Sequence, residues 1–344
     1  MNISNKAEDQ VAMADRKRYN TTATAIVTQA RTHARTQGIV KGTLIVKDDL
    51  PKHLKQSMFD HGGEHAVVCR YSSEPGDPGL DPRGFAMKVF NVPGEKFDST
   101  KTAQDIEFNS TPALDLADAK TTKEIIDLRI NYGGNKSELY KKLEARPDTD
   151  LQKFRDSVRN THLESTRQYS QTAYRFGDYV AKYCLVPSSE TQKKMYEETV
   201  KPDEHEPDIL SQWLKNFHKA HDAEYLLQFQ LCENLEDQPV EYAGKVWDPE
   251  KYPWQTVATL VIPKQDSFNY ELKSFWEDHM RIDPWLGLKS LQPLGSPNRL
   301  RRVVYPASSK LRRMMNGKKE IHVHEMDQIP GPSPAMGSNF MRVN

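Results

Sequence analysis

The chain has 344 residues, 37% of them hydrophobic and 28% charged, and its 48 Lys plus Arg balance 48 Asp plus Glu to a formal net charge of zero. That length suffices for one large domain or two ordinary ones with a sizeable core, and the even balance excludes a nucleic-acid or membrane-surface partner held by bulk electrostatics. Cys69, Cys184 and Cys232 stand far apart with no C-x-x-C pair, which argues against a disulfide framework or a zinc site.

The N-terminal stretch is polar and lacks the apolar core of a secretory signal, and no run approaches a membrane span. A soluble, intracellular protein of the cytoplasm is expected; the chain ends in Arg342, Val343 and Asn344, without the peroxisomal tripeptide. Residues 8 to 33 carry a weak helical pattern, read as an arm leading into the first strand. Strands are predicted at GIVKGTLIV (38 to 46), HAVVCRYSS (65 to 73) and FAMKVFNV (85 to 92), the last two separated by the Pro- and Gly-dense loop EPGDPGLDPRG. After Asn109 the pattern turns helical and charged, through DLADAKTTKEIIDLRINYGG and on to about residue 224. Two more strands follow at 224 to 234 and 254 to 264, so the sheet is built from both sides of a helical insertion. DPWLGLKSLQPLGSPN reads as an ordered irregular connection that buries Trp285, Leu286 and Leu291. A helix at 298 to 315 comes next, and then a Gly-, Pro- and Ser-rich tail with little structure of its own. HVHE at 322 to 325 has metal-type spacing, but its place in that tail favours solvated histidines.

The helix in SPNRLRRVVYPASSKLRR carries the clearest chemistry. At 3.6 residues per turn Arg301, Tyr305, Ser308 or Ser309, and Arg312 fall along one face. A phenol bracketed by two fixed cations favours the phenolate, and a phenolate oxygen is a hard anionic ligand suited to ferric iron. His33 stands before the first strand. Arg70 and Ser72 share one face of the second strand, and Asn109 follows the third, in FNSTP. A histidine and an asparagine amide aimed at one point can take and return a proton while polarising a peroxide bond.

In that order, THARTQG, the triplet in VVCRYSS, the loop DPRGFAMKVF, the turn NSTP, and R-x-x-x-Y with an arginine seven residues after the tyrosine resemble the haem catalase superfamily. With WDPEKYPWQTVATLVIPKQDS and DPWLGLKSLQPLGSPNRLRR, the chain looks most like the small catalase-related haem proteins, of peroxidase or allene oxide synthase type. The resemblance runs from about residue 28 to 316. It implies an α+β catalase-like antiparallel β-barrel with helical insertions and a C-terminal proximal haem helix. The expected division is one haem domain at 1–316 and a tail at 317–344, without the wrapping segments and extra domain of full-length catalases.

Position by position, the resemblance implies haem b with ferric iron bound by Tyr305. Arg301 would hydrogen-bond the tyrosinate, His33 and Asn109 would be the distal pair, Arg70 and Arg312 would meet the propionates, and Ser72 would orient the distal histidine. There are departures. Thr32 replaces the valine usual before the distal histidine, as in the catalase-related allene oxide synthases, and a hydroxyl there weakens the imidazole as a base toward hydrogen peroxide. Ala30 fills the place of another propionate arginine, for which Arg31 is the substitute from a shifted register. ALDLADAK replaces an apolar aromatic run, which implies a more open pocket. The implied function is a peroxidase or an enzyme of organic, fatty acid hydroperoxides. A true hydrogen peroxide catalase, a specialised haem oxidase, dehydratase or isomerase, and a non-catalytic haem-binding protein remain the alternatives. Partners are expected to be a peroxide or other small-molecule substrate, with no nucleic acid, no membrane span and room for a homodimer.

Overall fold

The structure, a computed structural model, describes residues 35–73, 82–97 and 102–331. The expected arm at 8–33, with Arg31, Thr32 and His33, lies outside the described residues. Nine strands are described: β1 Arg35–Val46, β2 Gly63–Ser73, β3 Arg83–Val89, β4 Gln104–Asn109, β5 Gln168–Tyr169, β6 Tyr174–Phe176, β7 Tyr179–Pro187, β8 Ala223–Leu231 and β9 Gln255–Ile262. They hydrogen-bond in the order β5-β4-β3-β2-β1-β9-β8-β7-β6, every pair antiparallel. β5 also pairs with β7, through Tyr169 opposite Cys184, so the sheet closes into an eight-stranded barrel with β6 outside the ring. Closure removes the free edges an open sheet would expose.

Asn109 thus ends a fourth strand and does not follow the third. β4 escapes sequence reading because Asp105 and Glu107 interrupt the apolar residues of a strand only six residues long. β7 carries a legible alternation of Ala181, Tyr183 and Leu185 inward, with Lys182 between them, inside a region whose charge density reads as helical.

Seven α-helices are described, beside short 3-10 turns: α1 Ala119–Tyr132, α2 Lys136–Glu144, α3 Thr149–Phe154, α4 Glu190–Met195, α5 Ile209–Ala220, α6 Tyr270–His279 and α7 Ser296–Asn316. Their starts follow local chemistry. The Asp118 carboxylate accepts the Thr121 N–H at the head of α1, and Asn269 does the same for Leu272 at α6.

Strand alternation sorts the side chains into two cores. Val67, Cys69 and Tyr71 of β2 point into the barrel, joined by Phe85, Phe108 and Phe229 and by Leu214 and Phe217 of α5. The intervening residues face outward, where Val68 joins Ile39, Phe90, Leu272, Trp276 and Met280 beneath α6. Val323 and Ile329, beyond α7, complete this second core, and Lys41 Nζ donates to the Ile329 and Gly331 carbonyls at 3.2 and 2.9 Å. Residues 317–331 therefore have little regular structure yet pack against the barrel. One part of the outer face of β1 to β4 is covered in this way, and α7 meets an uncovered part through Tyr305 and Glu107.

His218 of α5 is fully buried beside Tyr71, with no hydrogen-bond partner on either ring nitrogen, and burial pushes its pKa down to about 3. A histidine whose folded pKa lies below its unfolded value adds stability that is complete above about 6.5 and is lost as pH falls toward 3. His218→Phe is therefore expected to flatten acid sensitivity. In urea unfolding at pH 7 and pH 5, the wild type should lose about 2 kcal/mol more than the variant, since one proton is worth about 1.4 kcal/mol per pH unit.

Candidate functional site

The uncovered part of the outer face is ordered by strand register. Ser72 of β2 lies opposite Gly84 of β3, and Gly84 opposite Asn109 of β4; one row further along come Arg70, Ala86 and Glu107. Opposed residues of an antiparallel pair project to the same side. Arg70 and Ser72 thus flank one edge of a strip, Glu107 and Asn109 the other, and the middle carries only a methyl group and a glycine. Arg70, Ala86, Glu107 and Asn109 are all half-buried, so this strip is neither core nor open surface. Arg70 Nε donates to Thr36 Oγ1 of β1 at 2.8 Å, and Ser72 Oγ donates to the Gly84 carbonyl at 3.2 Å.

α7 faces this strip. Its start is set by Gly295, whose φ of 84° is left-handed and whose missing Cβ would collide with the Val240 carbonyl. Pro297 follows in the first turn, and Gly317 at φ 64° ends the helix. Leu300 and Val304 pack on Ala119 of α1, which turns Arg301 and Tyr305 toward the barrel. Pro306 removes the main-chain N–H immediately after Tyr305.

The Tyr305 hydroxyl donates to Glu107 Oε2 across the gap at 3.1 Å. Burial pushes the Glu107 carboxyl up to about 8, against the pull of the Arg301 guanidinium. Tyr305 is likewise held above the usual phenol range, by burial first and then by Glu107, with Arg301 acting the other way. Burial works against the Arg301 charge, but Tyr305, Tyr174 and Glu107 hold its pKa above the ordinary arginine value. Arg301 therefore favours the phenolate in the expected direction, and burial with Glu107 outweighs it.

Below this pair lies a buried ionic floor. Lys88 Nζ meets Asp105 Oδ1 at 2.5 Å, both side chains being almost fully enclosed. Asp105 Oδ2 accepts the Asp283 N–H at 3.0 Å, and the Asp283 charge acts on both Glu107 and Tyr305. Further along α7, Arg312 is half-buried, whereas Arg313 is buried. Arg313 pairs with Glu320 and donates to the His279 and Met280 carbonyls, tying α7 to α6.

The expected residues Tyr305, Arg301, Arg312, Arg70, Ser72 and Asn109 thus belong to α7 and to the barrel strip it faces, while His33, Thr32 and Arg31 lie outside the described residues. Sequence reading missed Glu107, although an acid two residues before Asn109 must share its face in a strand. It also missed Asn298, fully buried one turn before Arg301, and the Lys88–Asp105 pair. Past Asn109 the face continues to Tyr169, which lines a cavity of about 130 Å³ with Pro112, Arg167, Lys182, Trp247 and Trp254. Burial lowers the Lys182 ammonium to about 7 there, and Tyr305 is not among the lining residues.

No protein-family model matches the chain. It is similar to a protein named linolenate 9R-lipoxygenase from Nostoc sp., 24% identical over 258 residues, which cover 67% of this chain and 31% of that protein. Among solved structures it is similar to catalase A of Saccharomyces cerevisiae, with a TM-score of 0.61, 16% identity, and coverage of 82% of this chain and 61% of the other. A fungal catalase gives a TM-score of 0.56 at 18% identity, covering 84% and 61%; a bacterial catalase gives 0.60 at 16%, covering 82% and 57%. The chain spans about a third of the length of the curated relative and about three fifths of the length of these catalases.

Proposed function

We propose, from the premise that this chain has the catalase fold, that it is a haem-dependent enzyme of peroxides whose substrates are organic hydroperoxides of the fatty acid class. One observation carries the reading. A phenol and a guanidinium one turn apart on α7 face a barrel strip, free of bulky side chains at its centre, that ends in Asn109. The similarity to a protein named as a linolenate lipoxygenase favours a fatty acid substrate over hydrogen peroxide.

The residues fit the cofactor in donor type. Tyr305 would hold the iron through its oxygen, Arg301 would balance the charge of that oxygen, and Arg70 and Arg312 would pair with the propionates as carboxylate-matched forks. Gly84 and Ala86 leave the strip between Arg70 and Glu107 without bulk, and the Tyr305–Glu107 hydrogen bond at 3.1 Å, which spans the gap, must break for a flat ring to enter. When bound, the haem supplies a ferric centre at which a peroxide O–O bond is polarised. Asn109 would orient the outgoing oxygen through its amide, and His33 would move a proton from the near to the far peroxide oxygen. Thr32 would keep that imidazole a weak base, which suits an alkyl hydroperoxide better than hydrogen peroxide. Glu107, which accepts the Tyr305 hydroxyl at 3.1 Å and whose carboxyl burial pushes up to about 8, would take the phenol proton when Tyr305 binds iron.

The test mixes haem-loaded protein in a stopped-flow spectrometer with a fatty acid hydroperoxide and, separately, with hydrogen peroxide. The expected result is consumption of the fatty acid hydroperoxide with a kcat/KM at least about tenfold higher, and little oxygen release from hydrogen peroxide. Vigorous oxygen release with no turnover of the fatty acid hydroperoxide would reverse the assignment to a true catalase.

A further inference from the structure

We infer that Asn298, together with Thr172, is the positioning residue that fixes the Arg301 guanidinium against Tyr305; this rests on the haem reading, in which Tyr305 binds iron. Asn298 has no exposed surface. Its side chain has two donor and two acceptor sites, and all four are used. Oδ1 accepts from Arg301 Nη1 at 3.0 Å and from Thr172 Oγ1 at 3.3 Å, a hydroxyl whose one proton is shared with the Ser170 carbonyl at 3.3 Å. Nδ2 donates to the Leu294 carbonyl at 2.9 Å and to the Ala173 carbonyl at 3.2 Å. Its main-chain carbonyl accepts Trp285 Nε1 at 2.7 Å, which joins the irregular connection before α7 to the same point.

Arg301 is held from a second side, because its Nη1 also donates to Thr172 Oγ1 at 3.4 Å. Thr172 lies between β5 and β6, so two separate parts of the chain grip one end of the guanidinium. Asn298, Arg301 and Tyr305 stand three and four residues apart on α7, the spacing at which side chains on a helix meet. The amide therefore passes the position of the barrel wall to the cation, and the cation sets the charge environment of the phenol oxygen. No other side chain of this length reproduces this pattern. Aspartate loses both donations to carbonyls, leucine loses all four bonds, and histidine cannot offer two acceptors and two donors.

A merely structural Asn298 would lower stability when replaced and leave the iron environment of a folded variant unchanged. A positioning Asn298 alters the iron–phenolate signal in the folded variant, in the direction that direct loss of Arg301 does. The experiment loads wild type, Asn298→Ala, Thr172→Val and Arg301→Leu with ferric haem. It records the Soret band, the resonance Raman iron–phenolate stretch and the rate of haem transfer to a scavenging apoprotein, with thermal melting of the haem-free proteins as the structural control. Thr172→Val keeps the shape of the side chain and removes only the hydroxyl, so it carries the test if Asn298→Ala does not fold. Expected are a shift of the stretch in both variants in the same sense as in Arg301→Leu, and haem loss about tenfold faster in Asn298→Ala. A stretch unmoved in Thr172→Val and in any folded Asn298→Ala, while Arg301→Leu moves it, overturns the positioning role alone. A wild type that gives no saturable shift of the Soret band overturns the haem reading, and this inference with it.

Discussion

Tyr305→Phe is expected to weaken ferric haem binding by well over about a hundredfold. Loss of a group that merely supports a metal ligand already costs 10- to 100-fold, and here the proposed ligand atom itself is removed. The substitution deletes one oxygen and keeps the ring, so packing against the barrel persists. Glu107 loses the hydroxyl it accepts at 3.1 Å, a change worth about 1 kcal/mol of fold stability. Haem titration followed at the Soret band, beside thermal melting of the haem-free protein, separates the two effects. Binding that falls while melting moves by a few degrees supports the ligand role. Equal binding by the two proteins assigns the iron to another residue.

The second large effect lies one layer deeper. Lys88→Met leaves the Asp105 carboxylate enclosed without its cation, and breaking such a buried pair costs about 3–5 kcal/mol. Burial already raises the Asp105 pKa despite Lys88, so nothing else nearby fully compensates the charge. A fall in melting temperature of roughly 10 °C is expected for a chain of this size. Lys88→Met combined with Asp105→Leu should recover most of the loss, because an apolar pair of similar volume is often as stable as the ion pair it replaces. Full stability in the single variant would mean that water reaches Asp105. Since Asp105 accepts the Asp283 N–H, the single variant should also disturb the connection that leads into α7.

What the sequence made legible follows the range of its signals. The α7 helix is local: its periodicity, its early proline and its Arg and Tyr spacing all lie within about twenty residues, and the observed Ser296–Asn316 differs from the expected 298 to 315 by two residues at the start and one at the end. β1, β2 and β3 are long enough to alternate, so Arg70 and Ser72 can be set on one face before the barrel is known. β5 and β6, at two and three residues, are too short to carry any period, and the closure they help to make is a property of the whole ring. Glu107 was hidden for a different reason. Its role depends on α7 crossing a face that sequence alone leaves open to solvent, where an acid needs no partner. Asn298 is similar, since an asparagine in a first helical turn reads as part of a cap until its four bonds are seen. Ionic pairs such as Lys88–Asp105 join strands that are distant in sequence, and charge composition cannot name the partners.

The proposed haem centre rests on Tyr305, which faces Arg301 and the barrel strip. The most direct measurement is an absorption titration of the purified protein with ferric haem, read against Tyr305→Phe. A saturable Soret band at one haem per chain is expected in the wild type, together with a phenolate-to-iron charge-transfer band that the Phe variant lacks. A wild type with no saturable Soret band, or a charge-transfer band that survives in Tyr305→Phe, would contradict it.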